Sequence, residues 1–252
     1  MKKNIRIWIY PLIIMGLFLT LANGCSKSDN TNDPTQSGTV TDIDGNVYKT
    51  VTIGTQVWMA ENLKTTKYRN GDLIGTTTPA TLDLDSQDAP KYQWAYDGNE
   101  SNVATYGRLY TWFAATDTRN VCPTGWHVPS DAEWTILSTF LGGESVAGGK
   151  LKEKGTTHWQ SPNTGATNES GFAALPGGMR FPASWSDRFT HIGISGGWWS
   201  NTYSYGPSEP NGPSYNDRWF RFLENTDSEV YRSNGGDGFT GCSGFSVRCI
   251  KD

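Results

Sequence analysis

The chain has little basic charge, few histidines and few cysteines, and these shortages exclude several classes of function. It carries 21 Lys and Arg against 25 Asp and Glu, for a formal net charge of −4. Lys2, Lys3 and Arg6 stand at the very start, so a chain cleaved after them is more acidic still. Such a chain has no basic surplus to neutralise the phosphates of nucleic acid. It also lacks the polybasic patch that holds proteins on anionic membranes. We therefore expect no nucleic-acid partner.

Common catalytic motifs are also absent. The sequence contains no Gly-rich phosphate loop, no HExxH helix and no GxSxG elbow. His127, His158 and His191 stand far apart in the sequence, and we interpret each as a satisfied or solvated side chain rather than a metal ligand. The sequence therefore predicts no catalytic residue and no metal site.

The N-terminus is typical of an exported protein. A basic start precedes a nearly continuous apolar run, Ile7 to Leu21, which is too short and wrongly flanked for a membrane span. We therefore expect residues 1–24 to be a cleaved signal peptide. Leu-Ala-Asn-Gly-Cys, ending at Cys25, resembles a bacterial lipobox, in which the cysteine is lipidated. Ordinary secretion with Cys25 as a free thiol is the alternative.

A lipid on Cys25 would determine where the protein resides. Each buried methylene of an acyl chain contributes about 0.8 kcal/mol to membrane binding, so several acyl carbons hold a protein on a membrane without a spanning helix. We expect an outer-membrane lipoprotein of the cell envelope, and the Ser-Lys-Ser-Asp run after Cys25 is compatible with export to the surface. Residues 26–37 contain no large apolar side chain, which predicts a disordered tether over 25–38 and one domain over 39–252.

One stretch of this domain predicts its local structure clearly. Ser130 and Glu133 have the spacing of a capping box, which begins a helix. Gly142 and Gly143 can take the left-handed conformation that ends one. The apolar face of the predicted helix consists of Trp134, Leu137 and Leu141, with Phe140 beside them.

The remaining elements are predicted from shorter patterns. We expect a hairpin over 40–43 and 47–53, a third strand over 57–60, a helix over 107–115 and one helical turn at 150–152. The span 156–237 has no helical periodicity and is rich in Gly, Pro and Asn. Short strands are predicted there at 172–174, 197–200, 219–223 and 229–232. The fold class is therefore α+β, coil-rich, with one or two principal helices.

Three cysteines follow Cys25, and export makes a disulfide plausible. Phe245, Val247 and Cys249 alternate along a predicted strand and form its apolar face. Cys122 precedes a Trp-rich segment that should abut the same core. We therefore expect a Cys122–Cys249 bridge, with a local Cys242–Cys249 bridge as the alternative.

Four fragments resemble a known family: Val51–Leu63, Cys122–Trp134, Gly196–Ser200 and Gly244–Asp252. In this order they look like the Fibrobacter succinogenes major paralogous domain, which occurs in exported proteins and lipoproteins of Bacteroidetes. More distantly, they are similar to the sulfatase-modifying-factor group, which includes the formylglycine-generating enzymes. That resemblance implies a C-type-lectin-like fold. It implies no activity, because the paralogous-domain family has none generally assigned.

The resemblance suggests two chemistries that the residues support weakly. Formylglycine-generating enzymes bind copper through a close cysteine pair before the C-terminal motif, and residues 198–232 contain no cysteine here. Glu209-Pro210-Asn211 and Asn216-Asp217 resemble the calcium ligands of C-type lectins, although the two elements stand much closer together here. A Pro- and Asn-rich surface turn explains the same residues. The sequence therefore predicts no cofactor, with calcium as the alternative.

Aromatic residues carry the more general functional signal. Trp58, Trp112, Trp126, Trp134 and Trp198 stand in periodic elements and are predicted to be core. Further rings in the Gly- and Pro-rich span have polar neighbours, as in sites that stack on sugar faces or anchor a protein interface. Alternatively, these rings pack the coil onto the domain. The predicted ligand-binding residues are Trp185, Asp187, Arg188, Tyr203, Tyr205, Glu209, Asn211, Asn216, Asp217 and Arg218.

The sequence thus predicts a lipid-anchored envelope protein whose domain binds glycan or a partner protein without catalysis. An enzyme of the sulfatase-modifying-factor group and a structural component of a surface assembly are the alternatives.

Overall fold

The computed structural model describes residues 36–182, 188–204, 218–235 and 240–252. In these ranges the chain forms a mixed α+β structure of mostly strands, with few short helices and two sheets. The strands are β1 (Gln36–Thr41), β2 (Val47–Ile53), β3 (Gln56–Met59), β4 (Gln93–Trp94), β5 (Leu109–Tyr110), β6 (Trp126–His127), β7 (Gly177–Arg180), β8 (Phe189–Ile192), β9 (Ser195–Tyr203), β10 (Arg218–Glu224), β11 (Tyr231–Ser233), β12 (Phe245–Ser246) and β13 (Ile250–Lys251). The helices are α1 (Val103–Tyr106), α2 (Trp112–Ala115), α3 (Asp131–Phe140) and α4 (Glu144–Leu151), with 3₁₀ turns at Tyr96–Gly98 and Glu100–Asn102.

The capping box of helix α3 is formed as predicted. The Ser130 hydroxyl accepts a hydrogen bond from the Glu133 amide at 3.2 Å, and Glu133 Oε2 accepts one from the Ser130 amide at 2.7 Å. Gly142 and Gly143, with φ values of 105° and 98°, follow the helix in the left-handed region. The buried face consists of Trp134, Leu137 and Leu141.

Two local predictions were wrong, and a third was too short. Only α2 of the helix predicted over 107–115 forms, because Leu109 and Tyr110 pair with neighbouring strands as β5. The Thr111 hydroxyl then caps α2 by accepting from the Ala114 amide at 3.2 Å. The turn predicted at 150–152 is the end of the longer helix α4. The strand predicted at 172–174 is reduced to an isolated bridge between Lys152 and Ala174.

The two sheets share the C-terminal segment. In the five-stranded sheet the order is β1-β2-β3-β13-β6, and in the larger sheet it is β11-β10-β9-β12-β5-β4, with β7 also pairing with β9 and β8 pairing with β7. Strand β12 lies beside Tyr110 in one sheet, whereas β13 lies between Trp58 and His127 in the other. This segment is therefore covered on both sides.

Because the C-terminal segment is covered on both sides, residues on both of its faces are buried, and not only the apolar face that alternation predicts. Phe245, Val247 and Cys249 are buried as predicted, but Ser246 and Arg248 between them are buried as well. The predicted Cys122–Cys249 bridge is confirmed, with a Cα–Cα distance of 6.0 Å and a sequence separation of 127 residues. Cys242 is free and buried, so the alternative pairing is excluded.

The five tryptophans predicted as core are all buried. Trp134 packs against Trp58 with ring centroids 4.9 Å apart and against Trp198 at 6.5 Å. Phe172 meets Trp58 edge-on at 5.8 Å. This cluster joins helix α3 to both sheets, because Trp58 stands in β3 and Trp198 in β9.

Buried cationic side chains also stabilise the coil segments, because they donate hydrogen bonds to backbone carbonyl oxygens. The Lys152 ammonium donates to the carbonyl oxygens of Thr164, Glu224 and Asp227 at 3.0, 2.8 and 2.6 Å. Arg180 donates to Ala80 and Leu82 in the same way. Coil carbonyls that lie outside a sheet or helix still need donors when buried, and these side chains supply them.

Candidate functional site

Two of the predicted ligand-binding residues lie together at the end of the β9–β10 pair. Tyr203 and Arg218 are register partners, and the Arg218 guanidinium carbon lies 4.1 Å from the centroid of the Tyr203 ring. It lies 4.2 Å from the Trp112 ring, and the two rings meet edge to face with centroids 4.8 Å apart. Arg218 is buried, whereas the Tyr203 residue is 44% exposed. The cation therefore supports the exposed ring from behind.

A cleft of about 490 Å³ opens beside this ring. Trp112 and Tyr203 line it together with polar groups of Asn120 and Asn201. The side-chain amide of Asn201 donates from Nδ2 to the Val128 carbonyl at 2.8 Å. Asn120 Oδ1 accepts from the backbone N–H of Cys122 at 2.8 Å. Each amide is therefore held by one backbone contact beside the aromatic wall. An exposed ring next to fixed amides is suited to a ligand with an apolar face and hydroxyl groups.

Charged groups at the far side of the cleft are engaged within the protein. His127 Nδ1 lies 2.6 Å from Asp252 Oδ1, and His127 Nε2 lies 2.9 Å from Glu133 Oε1. Burial lowers the pKa of His127, but the hydrogen bonds to the two carboxylates outweigh it and raise the pKa above the ordinary value. The Arg119 guanidinium holds the pKa of the Asp117 carboxyl well below its usual range.

The other predicted ligand-binding residues do not join this cleft in the part of the chain that the structure describes. Arg188 lies beside β8 and pairs with Asp83 at 3.1 Å. The remaining seven, which lie outside the described residues, are Trp185, Asp187, Tyr205, Glu209, Asn211, Asn216 and Asp217. The calcium comparison therefore falls wholly outside the described ranges.

The histidines and cysteines have separate environments. His158 pairs with Glu153 at 2.8 Å, and His191 is exposed in β8. Burial raises the pKa of the Cys242 thiol, which keeps it protonated. Within residues 36–182, 188–204, 218–235 and 240–252, no group of three or more His, Cys, Asp or Glu side chains is arranged to hold a metal.

A second, polar cleft was missed by reasoning from the sequence. It encloses about 530 Å³ and is lined by residues that include Lys49, Glu61, Asn62 and Arg248. Alternation placed Arg248 on the open face of a strand, yet the residue is 1% exposed. The sequence did contain a signal for this cleft, because Asn62 and Arg248 are polar residues inside two of the fragments that carry the family resemblance.

Comparison with known proteins identifies the domain. The sequence model of the Fibrobacter succinogenes major domain matches residues 51–251. The chain belongs to this family. Asn62, Tyr203 and Arg248 all lie inside the segment matched by the Fibrobacter succinogenes major domain. No curated protein and no solved structure matches the chain.

The matched segment contains the lining of both clefts except Lys49 and Thr50. It leaves their ligands open, because the Fibrobacter succinogenes major domain has no assigned function. None of the helices in the described ranges has the length and hydropathy needed to span a bilayer.

Proposed function

We propose that this protein is an exported, lipid-anchored binding protein whose domain takes glycan at the cleft beside Tyr203, without catalysis. The observation that supports it is the exposed Tyr203 ring, held by Arg218 and Trp112 at the mouth of a cleft with two fixed amides. A ring that is already immobilised loses little conformational entropy when a sugar stacks on it.

The polar wall supports the same ligand class. Asn120 and Asn201 present amide groups that can exchange hydrogen bonds with sugar hydroxyls. The cleft of about 490 Å³ falls within the range of small-molecule sites, which span about 300–1,000 Å³. A protein partner that uses Tyr203 as an interface anchor is the competing outcome of the test below.

A glycan array probed with the full chain tests the proposal, followed by calorimetric titration of the glycans retained. Tyr203→Ala should weaken binding by about 5- to 140-fold, if a sugar face stacks on the ring as strongly as a nucleic-acid base, for which stacking on one aromatic ring is worth about 1–3 kcal/mol. Tyr231→Ala is the matched control, because Tyr231 stacks on Phe222 at 4.5 Å in the same sheet. An array without any retained glycan contradicts the proposal, and so does a Tyr203→Ala variant with unchanged affinity.

The anchor and the domain boundaries form part of the proposal. A signal peptide over 1–24, lipid on Cys25, a tether over 25–38 and a domain over 39–252 would hold the binding cleft at the outer membrane. Cys25→Ala should move the protein from the membrane fraction to the soluble envelope fraction. Mass spectrometry of the wild-type N-terminal peptide should show an acylated Cys25, and an unmodified peptide contradicts the anchor.

We propose in addition that the α+β architecture is C-type-lectin-like, as in the sulfatase-modifying-factor group. Mostly short strands, few helices and much coil are compatible with that fold. A crystal structure whose strands do not superpose on a formylglycine-generating enzyme contradicts this assignment.

A further inference from the structure

The polar cleft lies apart from the cleft beside Tyr203, because the two share no lining residue. Lys49 and Glu61 line its rim, Glu153 and His158 line the coil side, and Arg248 lies at its base. The cleft therefore combines two carboxylates and the exposed Lys49 with a buried cation at its base.

The cation at the base is partnered only by neutral groups. Arg248 donates from Nε and Nη2 to Asn62 Oδ1 at 3.1 and 2.7 Å, and from Nη1 to the Phe172 carbonyl. These contacts engage three of the five N–H groups of a guanidinium. Among the described residues, no carboxylate lies within ion-pair distance of Arg248. Lys152 and Arg180 are also held by neutral oxygens, but Arg248 lines a cleft. Because buried charges are normally paired, an anionic group of a ligand in this cleft would give Arg248 the charged partner that the protein does not.

The electrostatics of Arg248 are consistent with that reading. Burial lowers the pKa of Arg248 to about 9, and Glu61 acts in the opposite direction from beyond ion-pair distance. A negative charge seated closer to the guanidinium would stabilise its charged form.

Two partly exposed carboxylates also line the cleft. The Glu61 side chain is 34% exposed and pairs with Lys64 at 2.8 Å. The Glu153 side chain is 26% exposed and pairs with His158 at 2.8 Å. Both carboxylates line the cleft and remain accessible to a cationic group. A ligand of one charge would meet repulsion from one set of these residues, whereas a ligand with both charges complements them.

The backbone of the cleft wall is also unusual. Ala173 lines the cleft with a φ of 51°, in the left-handed region that residues with a Cβ seldom occupy. Asn168 Oδ1 accepts from its amide at 2.8 Å and holds this conformation. Strained backbone concentrates at ligand-binding and active sites, and here it adjoins Phe172, whose carbonyl meets Arg248.

We propose that this cleft binds a small zwitterion of the amino-acid or dipeptide class. The ligand carboxylate lies toward Arg248 and Lys49, and the ligand ammonium lies against Glu61 and Glu153. A cleft of about 530 Å³ holds a ligand of this size, since small-molecule sites span about 300–1,000 Å³.

The test is calorimetric titration of the full chain with glycylglycine and alanylalanine, with acetate and methylammonium as singly charged controls. The dipeptides should bind and raise the melting temperature, whereas acetate and methylammonium should bind at least about tenfold more weakly, because each lacks one charge-assisted contact. The rim variants Glu153→Gln and Lys49→Gln should each weaken dipeptide binding by about tenfold. Both change exposed or half-buried side chains, so they avoid the folding problem expected for Arg248 variants.

Glu169→Gln is the matched control, because Glu169 pairs with Lys150 outside this cleft and should leave dipeptide affinity unchanged. Absence of dipeptide binding at millimolar concentration overturns the proposal. Acetate binding as tight as dipeptide binding also overturns it, as does full affinity in both rim variants. Because Tyr203 lies outside this cleft, these outcomes are independent of the glycan titrations.

Discussion

Arg248 donates two hydrogen bonds to a single oxygen of Asn62, from Nε at 3.1 Å and from Nη2 at 2.7 Å, across 186 residues of sequence. The same oxygen accepts from Trp198 Nε1 at 2.8 Å. The Asn62 amide nitrogen donates to the Tyr106 carbonyl at 2.9 Å and to Ser246 Oγ at 3.2 Å. Three fragments that carry the family resemblance therefore meet at one buried amide.

Asn62→Ala should be among the most destabilising single substitutions in the domain. It leaves the Arg248 guanidinium and the Trp198 indole buried with unpaired donors, and each orphaned donor costs about 1–3 kcal/mol, more for a charged group. We expect a loss of about 3–5 kcal/mol in the free energy of unfolding, measured by urea denaturation. Asn234→Ala, at an exposed asparagine, should stay within about 0.5 kcal/mol of wild type. Similar midpoints for the two variants would contradict the role assigned to Asn62.

The Cys122–Cys249 bridge should contribute strongly to stability because it closes a long loop of the unfolded chain. With a sequence separation of 127 residues between the cysteines, loss of the bridge in Cys122→Ala/Cys249→Ala should cost about 2–5 kcal/mol. The melting temperature of wild type should fall when reductant is added, while that of the double variant should not respond. Cys242→Ser keeps the bridge and should retain the reductant effect, so a Cys242→Ser variant that is insensitive to reductant would point to a different pairing.

Substitution of Lys152 tests whether buried cationic side chains stabilise the coil segments. Burial lowers the pKa of Lys152 to about 8, yet its ammonium supplies three backbone carbonyls. Lys152→Met keeps the length of the side chain and removes those donors, and we expect a loss of about 2–4 kcal/mol in the free energy of unfolding. Lys154→Met, at an exposed neighbour, is the matched control. Equal stability of the two variants would show that the carbonyls do not depend on Lys152.

His127 should make stability depend on pH. Its pKa is raised in the folded protein, because hydrogen bonds to Asp252 and Glu133 outweigh the effect of burial. The stabilisation is therefore complete below the unfolded pKa of about 6.5 and is lost as pH rises through the folded pKa. The melting-temperature difference between wild type and His127→Gln should be largest near pH 5.5 and shrink toward pH 9. Asp252→Asn should reduce the pH-dependent part, and a difference that grows with pH would have the wrong sign.

Local sequence patterns were sufficient to predict the structure wherever a residue's partners are near in sequence or its burial follows a simple period. The capping box of Ser130 and Glu133 was predictable because both partners stand within one helical turn. The strands β2, β9 and β10 were predictable from β-branched and aromatic runs. The helix predicted over 107–115 was not, because pairing of Leu109 and Tyr110 with distant strands overrides a short helical pattern.

The sequence by itself determined the acidic balance, the start and end of helix α3, the tryptophan core and the family resemblance. It favoured the Cys122–Cys249 pair, and the structure excluded the alternative with Cys242. Tertiary structure alone decided where the buried cations go, since Lys152 and Arg248 bond to backbone and amide oxygens of remote segments that leave no periodic trace. It also decided that the Tyr203 ring is exposed while the Trp112 ring is buried, although both rings contact the Arg218 guanidinium. Burial depends on every layer that packs against a strand, whereas the alternation of apolar residues along that strand reflects only one of those layers.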